Sequence, residues 1–492
     1  MGQTGCDGFA AGGPPDEARP QRALFPLRFL GMGLWNVWQW CVHCSTTMCA
    51  AGTLADVALF RRCDLAMRAV DVFAMVVLAL LWRRLTPVTE RCGLQIAGAA
   101  GIVVGTLGFL GVCNGLVESV AVAMALSALA SFGGAVLFLS WAEVYSRLEP
   151  NRMLLMGVLS MVLAGLVSFD LNYLAAPLPL VGTVVTPVLS YALCRMSSRY
   201  IPAREAAAPV GAAVNVTFPY KPVVVMAFAG LVAGFGNFSL FGQTANTRMV
   251  ATFVVAMCML AAFVLFKGRL RLTHLVFASF GLTVAGLVLT ALAGVWAPAP
   301  AAFLVMMAYV ALCVTGLALL GRLSYMGGVP SLWLFGLGRA SSELMMGLGT
   351  YAKFVPGVAQ FAQDGHALAV LAAVGLACLV FVAALWQSER SEGSNWAVNM
   401  VDARSGAPVE MQREALVRGC ALLARECDVT EREHEVLRML VLGQSYQEIC
   451  QGLLLSMGTV KTHVRHVYAK VGVHSREEAV EKARAAAGPA EV

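Results

Sequence analysis

Twelve apolar runs limit what this chain can become, because each approaches the roughly 20 residues an α-helix needs to cross a bilayer. They lie near 27–48, 65–82, 94–113, 120–141, 152–172, 175–195, 222–243, 248–266, 272–294, 300–321, 329–353 and 366–386 of a 492-residue chain. Lipid offers no hydrogen-bond partners, so such runs must satisfy their own backbone groups, and a helix does this within one segment. A polar stretch from Ser197 to Pro222, with Arg199, Arg204, Glu205 and Lys221 in it, divides the runs six and six. The predicted fold class is all-α: a polytopic membrane bundle in a 6+6 arrangement.

Charge marks where that bundle ends. Only 13% of residues are charged, about half the share in soluble domains. Yet residues 388–492 hold thirteen Lys/Arg and fifteen Asp/Glu. Four parts are expected: 1–26, a disordered cytoplasmic tail; 27–386, a membrane domain; 387–428, a linker with an amphipathic helix; and 429–492, a cytoplasmic domain. With the N-terminus inside, the inner loops carry Arg83, Arg84, Arg91, Arg147, Arg152, Arg195, Lys267, Arg269, Arg271 and Arg322. The outer loops carry only Arg61, Arg62, Arg248 and Lys353. Cytoplasmic loops hold the excess of Lys and Arg, so a multi-pass protein of the bacterial cytoplasmic membrane, lipid-embedded with both termini inside, is expected.

The fourteen cysteines are scattered, mostly in apolar runs where a thiol behaves as a small hydrophobe, and imply no disulfide framework. Cys41, His43 and Cys44 do not converge on a helix and have no second cluster to complete a metal site. No nucleophile–base set, phosphate loop or cofactor motif is evident, and enzyme function is not expected.

Polar residues inside spans cost several kcal/mol at mid-bilayer and are functional candidates. On the first span Asn36, Gln39, Trp40 and His43 share one helical face. That face suits either a ligand pocket or interhelical hydrogen bonding. Arg339 and Glu343, at i and i+4, can neutralise one another, as can Arg68 and Asp71, while remaining candidate ligand contacts. Glu143 and His274 are expected to be solvated, and Asp170 to reach water. A weak repeat relates Gly33-Leu34-Trp35-Asn36 to Gly234-Phe235-Gly236-Asn237, which adds Asn237 to the candidate ligand residues. The twelve-span, two-half layout resembles the major facilitator superfamily over roughly 27–386. The family's Asp-Arg element between spans two and three is missing from Trp82–Gly93.

Beyond the linker, Val409–Cys427 reads as an amphipathic helix through Leu416, Cys420 and Leu423, able to pack on the helices C-terminal to it or on a second copy. Thr430 and Glu433 form a capping box that opens a helix ending at Gly443. A second helix runs from Tyr446 to Leu453, a third from Ser456 to Gly472, and a short fourth begins after Ser475. The third alternates Val460, Val464 and Val467 with Lys461, His463, Arg465, His466 and Lys470. A helix with such a basic face after a tight turn is the plan of a helix-turn-helix. Residues Thr430, Arg432-Glu433, Glu435-Val436-Leu437, Gly443, Glu448-Ile449, Thr459-Val460-Lys461-Thr462-His463 and Ser475-Arg476 resemble the LuxR-type DNA-binding domain over about 429–485. That resemblance implies base or adjacent phosphate contacts from Lys461, Thr462 and Arg465, with Ser456, Thr459 and Lys470 nearer the backbone. The function it implies is a membrane-bound transcriptional regulator that senses a small molecule and binds double-stranded promoter DNA as a homodimer. The alternative is a transporter with a regulatory DNA-binding tail.

Overall fold

The computed structural model describes residues 27–44, 48–49, 55–148, 150–200, 214–216, 220–236, 245–266, 272–293, 298–327, 329–351, 375–376, 380, 400–402, 409–444, 446–453 and 455–487. Among them, helices occupy eleven of the twelve apolar runs: α1 Gly31–Cys44, α2 Val57–Leu80, α4 Cys92–Cys113, α5 Val120–Ser146, α6 Pro150–Tyr173, α7 Leu178–Tyr200, α8 Tyr220–Gly236, α9 Ala245–Leu265, α10 Leu272–Ala293, α11 Pro298–Gly327 and α12 Ser331–Tyr351. A single turn, α3 Trp82–Leu85, comes directly after α2. The twelfth run, 366–386, lies almost wholly outside the described residues, as does Asn237. Five helices, α4 to α7 and α11, are long and apolar enough to cross a membrane on length and composition alone. The outward face is apolar, with Phe73 70% and Ile96 66% exposed. Such exposure is costly in water and expected in lipid, so this is a membrane protein.

Hydropathy places the start of α2 near residue 65, but it begins at Val57 because the Asp56 carboxylate accepts hydrogen bonds from the Ala58 and Leu59 amides at 2.8 and 3.0 Å. Asp and its like stabilise helix starts in this way. Arg61, Arg62 and Asp64 in those turns are what hid them from a hydropathy window.

Helix packing in lipid relies on small residues and shared polar atoms, and both are present. A Cβ on Gly33 would collide with the Ser160 carbonyl, and one on Gly234 with the Met346 carbonyl. The first helix of each half thus lies backbone to backbone against the fifth helix of that half, α1 on α6 and α8 on α12. This physical content of the weak repeat was not visible from glycine spacing. Indole N–H groups join other N-terminal helices. Trp35 Nε1 donates to the Gly134 carbonyl at 3.0 Å, Trp38 Nε1 to Thr106 Oγ1 at 2.8 Å and Trp141 Nε1 to Ser190 Oγ at 3.0 Å.

The C-terminal part comprises α13 Val409–Glu426, α14 Glu431–Val441, α15 Tyr446–Leu453, α16 Met457–Val471 and α17 Arg476–Ala487. α13 packs on α17 of the same chain, and its Leu416, Cys420 and Leu423 join Leu437, Val467, Val471 and Val480 in one core. The amphipathic helix before 429 thus shares a core with the helices that follow it. Among the described residues the architecture is all-α apart from one antiparallel pair, β1 Val214–Val216 with β2 Met400–Asp402, which ties the loop between the two halves to the linker before α13.

Replacing Gly33 or Gly234 by valine should lower the melting temperature of the detergent-purified protein and its membrane abundance, since overpacking costs about 1–3 kcal/mol. Gly157→Ala, with nothing within 4 Å of the added Cβ, is the matched control that should change neither.

Candidate nucleic-acid interface and intramembrane charge cluster

The helix-turn-helix owes its geometry to caps at each junction. Thr430 Oγ1 accepts from the Glu433 amide, while Glu433 Oε2 accepts from the Thr430 amide at 3.0 Å, closing the capping box. Ser456 Oγ accepts from the Thr459 amide at 3.1 Å and starts α16. Gly472, at φ 70°, takes the left-handed conformation that ends it. Arg476 donates from Nε and Nη2 to the Leu440 carbonyl at 2.9 and 2.7 Å. It thereby neutralises the carboxyl end of α14. The turn between the helices is fixed by these contacts and by the core of Val436, Leu440, Ile449, Val460 and Val464.

Burying Val460, Val464, Val467 and Val471 turns the opposite side of α16 to solvent. Ser456, Thr459, Lys461, Thr462 and Arg465 are all exposed there. Tyr446, where the family pattern has a small polar residue, lines an open hollow of about 610 Å³ with Lys461, Arg465, Tyr468 and His474. It stands directly beside the exposed face of α16.

Lys470 is placed differently from the rest. Its Nζ donates to the Asp428 carbonyl at 2.9 Å and to Glu433 Oε2 at 2.7 Å. Its charge is spent on the start of α14. The same Lys470 contact, assisted by the Thr430 donors, pulls the Glu433 carboxyl from its ordinary 4.5 down to about 2. Lys470 is legible from the family pattern, but its pairing needs α14 folded against α16.

In the membrane domain the first-span residues are packed in. Asn36, Gln39 and Trp40 are each under 9% exposed, and Asn36 Nδ2 donates to the Met32 carbonyl of its own helix at 3.1 Å. His43 Nδ1 meets Asp64 Oδ1 at 2.7 Å and so joins a cluster linking α1, α2 and α12. Asp64 Oδ2 accepts from Arg68 Nε at 3.0 Å and from the Tyr351 hydroxyl at 2.6 Å. Arg68 Nη1 reaches Glu343 Oε2 at 3.5 Å, and Glu343 pairs with Arg339. The Arg339 guanidinium lies 5.5 Å from the Trp35 ring and 5.8 Å from Phe138.

The expected Arg339–Glu343 pair is therefore present, extended across the two halves. Arg68 pairs with Asp64 and with Glu343. The i−4 carboxylate lies along the guanidinium, and α12 supplies a second partner. Asp71 is buried beside Arg68, Arg339 and Glu343. Asp64 and Tyr351 were not among the expected site residues. Asp64, one turn before Arg68, was detectable by spacing, whereas Tyr351 comes close only through the packing of α12 on α2.

A second cluster sits at the other end of the bundle. Glu143, expected to be solvated, is 4% exposed. It accepts from the Thr89 amide and hydroxyl at 3.1 Å each and pairs with Arg147, while Arg195 donates to the Thr89 carbonyl. The short loop after α3 is thus pinned to α5 and α7 by the carboxylate, in a segment that lacks the Asp-Arg element. Asp170 is exposed, as expected. The side chain of His274 lies outside the described residues.

The Glu433 carboxylate stabilises the C-terminal domain above its unfolded pKa near 4.5, and this contribution disappears as pH falls toward 2. Glu433→Gln should lower stability at pH 7 by about 1 kcal/mol, the usual worth of a helix cap. It should also flatten the acid limb of melting temperature against pH, measured by circular dichroism between pH 7 and pH 3.

Residues 428–483 match the family described as bacterial regulatory proteins, luxR family. Over 62 residues the chain is 40% identical to the HTH-type transcriptional regulator MalT of Serratia proteamaculans. It is equally similar, at 40% over 62 residues, to MalT of Yersinia pestis. The shared stretch is 13% of this chain and only 7% of the length of either relative. In three dimensions, 72% of the chain superposes on 97% of a bacterial homologue of the iron transporter ferroportin in the outward-facing state with soaked iron. The TM-score is 0.52 at 13% identity. A structure of a bacterial ferroportin homologue in the outward-facing state, described without soaked iron, gives 0.51 at 13%, covering 73% of this chain and 97% of that one. At this identity the likeness is one of fold alone. Residues 428–483 thus match the luxR-family DNA-binding domain, and the helical membrane domain has the fold seen in the bacterial ferroportin homologue.

Proposed function

We propose that the chain is a membrane-bound transcriptional regulator whose membrane domain senses a small molecule and whose cytoplasmic domain controls a promoter. The observation that carries this reading is the exposed face of α16, with Lys461, Thr462 and Arg465 free of the helix-turn-helix core. An α-helix fits the major groove, where such side chains reach base edges and phosphates. One recognition helix covers one half-site, so a homodimer binds a two-fold operator. Both termini lie in the cytoplasm in this reading, because Arg83, Arg84, Arg91 and Arg147 gather at one end of the bundle and DNA is reachable only from inside.

Coupling requires a ligand to bind two states of the membrane domain with different affinity. The cluster of His43, Asp64, Arg68, Arg339, Glu343 and Tyr351 ties the two halves together, and a rearrangement of the halves must break or remake it. The β1–β2 pair links the loop between the halves to the segment leading into α13, which gives that rearrangement a hydrogen-bonded route to the DNA-binding domain.

Lys461→Ala and Arg465→Ala should each weaken operator binding by about 1–3 kcal/mol, the usual worth of a good base contact. Lys470→Ala should act on domain stability instead, since its ammonium is held by Glu433. Fluorescence anisotropy with the promoter fragment, beside thermal melting, separates the two effects. Unchanged affinity in the Lys461/Arg465 double variant overturns the assigned face.

The second reading, a transporter with a regulatory tail, draws on the transporter-like fold. Uptake of labelled small molecules into vesicles distinguishes the two. The regulator reading expects saturable binding without accumulation, and accumulation above the outside concentration favours transport.

A further inference from the structure

Two cysteines that the sequence presents as ordinary apolar residues meet at one end of the membrane domain. Cys113 is the last residue of α4, and Cys49 lies in the segment between α1 and α2. Both lie in the same buried core cluster. The backbone on either side is already stapled: Asn114 Nδ2 donates to the Met48 carbonyl at 2.9 Å, and the Ala55 amide to the Cys113 carbonyl at 3.2 Å. These contacts hold the segment carrying Cys49 against the end of α4 that carries Cys113, the side-by-side placement a disulfide requires. A third thiol, Cys63, is close by but hydrogen-bonds to Ser127 and is wholly buried. Cys49 is 7% exposed and Cys113 1%, so Cys49 is the sulfur an outside reagent meets first. The site is at the water boundary, because the turn after Cys113 exposes the polar Glu118 and Ser119.

We propose that Cys49 and Cys113 form a reversible disulfide at the outer end of the membrane domain, oxidised by small disulfides on that side. The outer location rests on the orientation proposed above. In the first step the Cys49 thiolate attacks one sulfur of the external disulfide, forming a mixed disulfide and releasing one thiolate. The Cys113 thiolate then attacks the Cys49 sulfur, forming the Cys49–Cys113 bond and releasing the second thiolate. Both leaving thiolates take up the protons lost by the two cysteines, so two protein thiols are oxidised and one external disulfide is reduced. The bond fastens the segment between α1 and α2, which leads into the helix carrying Asp64 and Arg68, to the end of α4. Oxidation on the outside therefore reaches the helix that holds the two halves together.

The test uses the full-length protein in intact cells and in inverted membrane vesicles, with oxidised glutathione as the membrane-impermeant disulfide. Non-reducing peptide mass spectrometry should find the Cys49–Cys113 cross-link after treatment of intact cells and lose it after reduction. Cys49→Ser and Cys113→Ser should each abolish it, and Cys63→Ser should retain it. A cross-link that forms only in inverted vesicles supports the cysteine pair and overturns the outer location together with the proposed orientation. Wild-type protein with both thiols still open to alkylation after treatment from either side, or a Cys49–Cys63 link instead, overturns the pairing itself.

Discussion

Three buried carboxylates, Asp64, Asp71 and Glu343, share one region of the bundle with two guanidinium groups, Arg68 and Arg339. Charges taken out of water cost several kcal/mol each unless they are paired and hydrogen-bonded. The bundle cannot adopt its packing without bringing α2 and α12 together in this register. Asp64 has three partners, from α1, α2 and α12. Glu343 has guanidinium partners from both halves. The cluster is consequently the point where the two halves are obliged to meet, and any rearrangement between them has to exchange these partners for others.

The remaining packing obeys the same scarcity of hydrogen-bond partners in lipid. Each buried indole of Trp35, Trp38 and Trp141 donates to a carbonyl or hydroxyl on a neighbouring helix. Glycine at 33 and 234 lets carbonyls of α6 and α12 approach where a side chain would bar them. These contacts make the aromatic face of α1 part of the framework. His43 and Trp35 bring that framework into touch with the charge cluster, the first through Asp64 and the second through the Arg339 guanidinium.

The C-terminal domain solves a different problem, because its surface is charged and polar. Its α16 carries four buried valines on one side and basic and hydroxyl side chains on the other. Charge is used twice there. Lys470 and Arg476 are consumed in closing helix ends, while Lys461 and Arg465 point outward. α13 completes the core by lying on α17, so what looked like part of a linker is structurally part of the domain.

The sequence alone determined the placement of eleven helices, the division into two halves, the helix-turn-helix with its caps, and the Arg339–Glu343 pair. Each of these rests on spacing within a few residues: apolar runs, a capping box, or i and i+4 neighbours. Tertiary structure decided which charges meet across the halves, that Glu143 is buried beside Thr89, that Lys470 serves Glu433, and that Cys49 faces Cys113. Those partners are separated by between 37 and 287 residues where hydrogen bonds record the distance along the chain. No local pattern encodes such a pairing. It emerges only when helices with their own internal reasons to exist are packed so that buried polar groups find partners.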